Sequence, residues 1–130
     1  MPMQVELVSP ERILFSGEAD MVIVRTVGGG DVAFLAGHAP FLGALAIHSA
    51  RIKRPDGTEE TAAVHGGFVH VRDNKVIILS DVAELASQID VERARRAKEA
   101  AERSLMAGDD AECEAALRRA HVRLELTGAA

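Results

Sequence analysis

The feature that most constrains this chain is an abrupt change of character near residue 88. All four prolines and nine of the eleven glycines lie before residue 71, spaced among β-branched runs. Beyond residue 88 there is no proline, and alanine, arginine and glutamate dominate. Glycine and proline punctuate short strands and are costly inside helices, whereas alanine-rich charged sequence favours helix. The division predicts an all-β unit, residues 1–86, followed by a helical unit, residues 87–130.

In the first unit, strands are expected at 3–9, 12–16, 20–27, 31–35, 42–47, 50–55, 58–65, 67–72 and 75–80. Asp56-Gly57 and Asp73-Asn74 read as tight hairpin turns between alternating segments. Short strands spaced by turns build a two-sheet β-sandwich, here of about nine to ten strands, with few exposed edges. Two helices are expected at 90–106 and 110–126. Gly108 stops the first, Asp109-Asp110-Ala111-Glu112 offers a cap to the second, and the short connection makes an antiparallel two-helix hairpin. Its seam is mostly alanine: Ala94, Ala97, Ala101 and Leu105 face Cys113, Ala116 or Leu117, Ala120 and Leu124. A methyl-sized group contributes about 0.8 kcal/mol on burial against roughly 1.5–3 for a whole leucine, so the contact is thin. Two readings stay open: a fixed cap on the sandwich, or an arm that detaches for a few kcal/mol.

Composition excludes several functions. The formal charge of −5 speaks against a nucleic-acid partner, and four Phe with no Trp or Tyr leave no stacking platform. The single Cys113 forms no internal disulfide and fits a reducing compartment. The start MPMQVELVSPER lacks the pattern of a secretory signal, and no run approaches the roughly 18 apolar residues of a membrane span. A protein of the cytoplasm without direct membrane insertion is expected.

Three stretches invite chemistry. Gly28, Gly30 and Ala33 follow the candidate strand MVIVRT with dinucleotide-loop spacing. That motif needs a helix to follow, and DVAFLAGHAP does not supply one, so the glycines read as a turn. His65 and His70 flank GGFV, but a spacing of five places them on opposite faces of a regular strand, and no carboxylate completes a ligand set. The five histidines read as surface or turn residues, and no metal site is expected. No serine sits in a nucleophile elbow, and Cys113 lies mid-helix between acidic Glu112 and Glu114 rather than beside a cation, so no catalytic residue is assigned. Arg93, Arg119 and Arg123 are different: an antiparallel hairpin returns the end of its second helix beside Asp90 at the start of its first. Three converging guanidiniums make a phosphate site, or else Asp90 simply neutralises them.

GHAPFLGAL, GGFVHVRDNKVIILSD and AELASQIDVERA, followed by a hairpin ending AALRRAHVRL, together resemble the epsilon subunit of bacterial F-type ATP synthases over residues 3 to about 126. The resemblance implies a central-stalk rotor subunit without catalysis of its own. Its sandwich couples a gamma subunit to the membrane rotor c-ring, and its hairpin either folds back or extends into the alpha/beta catalytic hexamer to block ATP hydrolysis. It places the protein peripherally on the cytoplasmic face of the bacterial plasma membrane. It makes Gly30, Asp31, Gly37, His38, Ala39, Pro40 and Phe41 ring-contacting residues, and Arg118, Arg119 and Arg123 inhibitory contacts. Ala36 stands where the family often has proline, which leaves that turn less rigid. Ile89, Asp90, Arg93 and Ala94 match an I/L-D-x-x-R-A motif that binds ATP in some relatives, with Glu84, Arg119 and Arg123 at helper positions. Ala100 replaces a further arginine of strong binders, removing one charge-assisted contact. No cofactor is required, and ATP enters only as a regulatory ligand. The alternative is a free-standing ATP-sensing binding module that keeps the arginines without an obligate partner.

Overall fold

The computed structural model describes residues 2–108 and 111–129. Ten strands come first: β1 (Met3–Val8), β2 (Ile13–Ala19), β3 (Met21–Thr26), β4 (Gly30–Leu35), β5 (Phe41–Ala44), β6 (Ile47–Lys53), β7 (Glu59–His65), β8 (Phe68–Arg72), β9 (Lys75–Leu79) and β10 (Ala83–Leu85). A single 3₁₀ turn, Ala86–Gln88, leads into α1 (Val91–Ala107) and α2 (Ala111–Leu126). The strands form two five-stranded sheets, ordered β2-β1-β9-β8-β5 and β10-β7-β6-β3-β4. Neighbours are antiparallel except β1 and β9, which run parallel. This is the expected sandwich followed by two helices. The strand the sequence left out is β10, whose three residues are too short to show a period.

Between the sheets lies the core, built on Val5, Leu7, Val22, Phe34, Ile52, Val69, Val71, Val76 and Ile78, all at most 1% exposed. The turns behave as their residues dictate. Asp73 and Asn74 both take positive φ, 51° and 59°, which matches the right-handed twist of the β8–β9 hairpin. Asp56 caps its own turn by accepting from the Thr58 N–H (2.9 Å) and hydroxyl (2.6 Å). Gly28 lies in a turn and Gly30 opens β4, so the dinucleotide spacing has no helix to serve.

Gly67 carries the crossing from one sheet to the other. Its φ is +108°, and a Cβ there would stand 2.0 Å from the Leu79 carbonyl oxygen and 2.8 Å from the Ser80 Cα. Both are backbone atoms, which leaves no room to give. Gly67→Ala should therefore cost about 3 kcal/mol or more, seen as a lowered urea midpoint. Gly28→Ala, at φ +75° with nothing within 4 Å, should lose only about 1–2 kcal/mol.

The helices are capped by Asp90, whose Oδ1 accepts from the Arg93 N–H at 3.1 Å, and by Gly108, whose N–H donates to the Ser104 carbonyl at 3.2 Å. The expected cap at Asp109-Asp110 lies outside the described residues. In α1, Ala94 and Ala101 are buried; in α2, Ala120, Val122 and Leu124 are buried. At about 100° per residue, Ala120 and Val122 face nearly opposite ways. Both sides of α2 are therefore covered: α1 packs on one, and β6 and β7 on the other. Val122 was invisible in the alanine seam because it answers to the sheet. Beneath α2, Ala63 on β7 is fully buried yet stands apart from the sandwich core, a small residue that lets the helix approach.

Candidate functional site

Where the hairpin meets β10 there is a cleft of ≈350 Å³ lined by Glu84, Gln88, Asp90, Arg93, Ala94 and Arg123, together with Val82 and Ala97. The I-D-x-x-R-A stretch reaches it because Asp90 is the N-cap of α1, which puts Arg93 and Ala94 on the first turn. Arg123 arrives from the last turn of α2 and donates from Nε to Glu84 on β10. The third guanidinium goes elsewhere: Arg119 donates from Nη2 to Glu112 at 2.7 Å and does not line the cleft. Ile89, half-buried, and Ala100, exposed on α1, also lie outside the lining. Among the described residues Arg93 is the cleft guanidinium without an ion pair. The cleft thus balances two arginines against two carboxylates. It holds an anion only by drawing on Arg93 and by competing with Glu84 for Arg123.

Beside Glu84 lies a residue that the sequence reading put at the surface. His65, at the end of β7, has a side chain 1% exposed, with Nε2 3.7 Å from Glu84 Oε1 and no hydrogen-bond partner on either ring nitrogen. Burial, reinforced by Arg123 and Arg119 and opposed by Glu84, pushes its pKa down to about 4. The strand places it outward on the second sheet, where α2 covers it. His70 stands on β8 of the other sheet and is exposed. Among the described residues no three of His, Cys, Asp and Glu lie close enough to hold a metal ion.

The two loops singled out by the resemblance sit at opposite ends of β4. At one end Asp31 pairs with its cross-strand neighbour Arg25, Nε to Oδ1 at 3.0 Å, and the guanidinium holds the carboxyl below the usual carboxylate range. At the other, Gly37 is braced by Asn74, whose Oδ1 accepts the Gly37 N–H at 3.0 Å while Nδ2 donates to the Pro2 carbonyl at 3.1 Å. His38 stacks edge-on against Phe34 at 4.9 Å, and Phe41 lies 5.4 Å from the same ring. Ala39 and Pro40 are exposed. These braces supply the rigidity that Ala36, in place of proline, does not. Five steps of extended chain separate the ends of β4, roughly 17 Å. Since β4 and β5 are edge strands of the two sheets, a partner touching both loops must run along this open side.

A further surface escaped the sequence reading. On the outer face of the first sheet, Ile13, Val8, Leu79, Phe68 and Ala44 are successive cross-strand neighbours, a row across all five strands. Ile13 is 60%, Leu79 50% and Phe68 57% exposed, and Leu42, 71% exposed, extends the patch in the next row. The signal was present: β9, Lys-Val-Ile-Ile-Leu, is apolar at both parities, as strands are when both faces are to be covered. The corresponding face of the second sheet is already covered by α2. Large apolar side chains gathered in one exposed row mark an interaction surface.

The family model described as the ATP synthase, Delta/Epsilon chain, beta-sandwich domain matches residues 2–86. The chain belongs to the ATP synthase epsilon-chain family. Among its relatives, the ATP synthase epsilon chain of Streptomyces griseus is 46% identical over 94% of this chain and 92% of its own length. That of Thermobifida fusca is 49% identical over 92% and 88%, and that of Shouchella clausii 42% identical over 95% and 92%. A chain of the Euglena gracilis mitochondrial ATP synthase, OSCP/F1/c-ring in rotational state 1, superposes with a TM-score of 0.73 over 98% of this chain and 78% of its own. At 24% identity that likeness speaks for the fold alone. Among the described residues no helix is long and apolar enough to cross a membrane.

Proposed function

We propose that the chain is the non-catalytic central-stalk subunit whose sandwich joins a gamma subunit to the membrane c-ring and whose hairpin restrains ATP hydrolysis. The observation that carries this reading is the contrast between the two outer sheet faces. One carries an uncovered apolar row across five strands, a seat for a permanent partner; the other is covered by α2, which turns Val122 to it and is itself zipped to α1 by an alanine seam. Gamma takes the bare face, and the ring lies along β4, within reach of Gly30, Asp31 and the stretch from Gly37 to Phe41. The protein then sits peripherally on the cytoplasmic face of the membrane, carried by its partners. Folded, the hairpin keeps Arg123 on Glu84; Arg119 pairs with Glu112 inside α2 itself, and Arg118 is exposed. Released, α2 presents all three arginines to acidic segments of the alpha/beta hexamer. Tagged chain expressed in its own host should carry gamma with it through purification. Recovery without gamma would overturn the reading and favour the free-standing ATP-sensing module.

Regulatory ATP belongs to the cleft. Its triphosphate would engage Arg93, and Arg123 once freed from Glu84; Glu84 and Asp90 would oppose it, and Arg119 is turned away. With a guanidinium contact contributing roughly 1.5–3 kcal/mol, Arg93→Ala should weaken ATP binding about tenfold or more in titration calorimetry while leaving the thermal transition in place. Unchanged affinity would remove Arg93 from the site.

A further inference from the structure

We propose that His65 is a proton-operated latch: its imidazole must be neutral for α2 to seat on the sandwich, so that acid loosens the hairpin. The claim goes beyond the regulatory reading above and rests on it, because a latch matters only if the hairpin can leave.

The geometry is that of a polar group closed in without compensation. His65 ends β7 on the outward side of the second sheet, its side chain 1% exposed and both ring nitrogens without a hydrogen bond. What faces it is defined on every side. From α2 come the guanidiniums of Arg119 and Arg123, and from β10 the carboxylate of Glu84 at 3.7 Å. From β6 its cross-strand partner is Ile47, which carries no charge. Asp90 and Arg93, at the start of α1, line the cleft next to Glu84. Arg123 already occupies Glu84, and Glu112 holds Arg119. An imidazolium here therefore meets two cations and a carboxylate that is already taken, and it has been removed from water. A buried neutral imidazole is tolerated; a buried charged one is not.

The sign follows. Seated, His65 has its pKa lowered from 6.5 to about 4; released, it returns to water and the ordinary value. The seated form binds fewer protons, so docking is fully favourable above about pH 6.5 and weakens as pH falls from there toward 4. The equilibrium falls about tenfold per pH unit across that window, near 300-fold in all. An acidifying compartment would shift the hairpin toward the released form that restrains ATP hydrolysis. The histidine thus couples local pH to the position of the hairpin.

The test uses the full chain. Amide exchange on α2, corrected for its intrinsic pH dependence, gives the opening equilibrium, and protection at Ala120, Val122 and Leu124 should fall about 30-fold between pH 7.5 and 5. His65→Asn, which keeps a polar side chain but does not titrate, should hold those factors nearly level across the range. Independently, an NMR titration of the wild-type imidazoles should find His65 protonating well below the ordinary value of 6.5. A flat wild-type profile, a fall that persists in His65→Asn, or a His65 that titrates at that ordinary value would each overturn the latch. Should α2 open only with global unfolding, the detachable hairpin itself is wrong. If the variant fails to fold, the imidazole titration still decides.

Discussion

Deleting residues 90–130 should raise ATP hydrolysis by the reconstituted ATP synthase about fivefold or more while leaving the subunit bound to gamma. The expectation follows from how little the two units share. No residue of α1 or α2 belongs to the sandwich core cluster, which closes on itself between the two sheets. Of the helices, α2 makes the main contact with the strands, across β6 and β7, and α1 rides on α2. Among the described residues the side-chain ion pair joining the helices to the strands is Arg123–Glu84, and a 3.4 Å contact from Arg12 to Gln88 holds the turn before α1. A hydrogen bond to a charged group contributes roughly 1.5–3 kcal/mol, and burial of Val122 against the sheet adds an amount of similar size. Docking of this strength is readily reversed, and couplings of 1–3 kcal/mol correspond to about 5–150-fold changes in a linked equilibrium. Released, the 16 residues of α2 span about 24 Å, enough to carry Arg123 far from Glu84. The truncated chain should still unfold in one cooperative transition. Unchanged hydrolysis would refute the inhibitory role of the helices, and loss of gamma binding would refute the division of labour.

How much of this could be read from residues alone depends on the range of the interaction responsible. The sandwich and hairpin were legible because glycine, proline and alanine act locally. Asp73-Asn74 needs no tertiary contact to favour positive φ at both positions, and Asp90 caps α1 through its own neighbourhood. The convergence of Arg93 and Arg123 was legible from the antiparallel hairpin. The diversion of Arg119 to Glu112, one face and seven residues away, was not, since helical spacing admits several carboxylate partners for each arginine. Glu84 was named by resemblance; its pairing with Arg123 depends on β10, whose three residues carry no period. His65 was misjudged for a related reason. Its strand is sandwich-like, but its cover is supplied by a helix nearly sixty residues later, and no pattern in β7 announces that. The apolar row on the first sheet was hidden in a different way. Each strand contributes one or two residues, and only the register aligns Ile13, Val8, Leu79 and Phe68.

That row yields the sharpest expectation for assembly. Leu79→Asp should weaken binding to the gamma subunit at least 100-fold, measured by interferometry with the purified partner, yet change the chain's own unfolding midpoint little. Leu79 sits inside the row between Val8 and Phe68 and is 50% exposed in the isolated chain, so a carboxylate there remains in water and costs the monomer on the order of 0.5 kcal/mol. In the complex the same carboxylate would be enclosed among apolar side chains without a counter-charge, and central positions of this kind are where truncation or charge costs more than about 2–3 kcal/mol. Phe68→Ala, which removes area without adding charge, should give a smaller loss of about tenfold or more, and the two should not add because they touch. Met106→Asp supplies the contrast: Met106 is 89% exposed on α1, remote from the row, and should leave gamma affinity unchanged. Wild-type affinity in Leu79→Asp would move the gamma seat off this face. The partner would then have to use the open side along β4, and Asp31 and His38 would face the shaft rather than the ring.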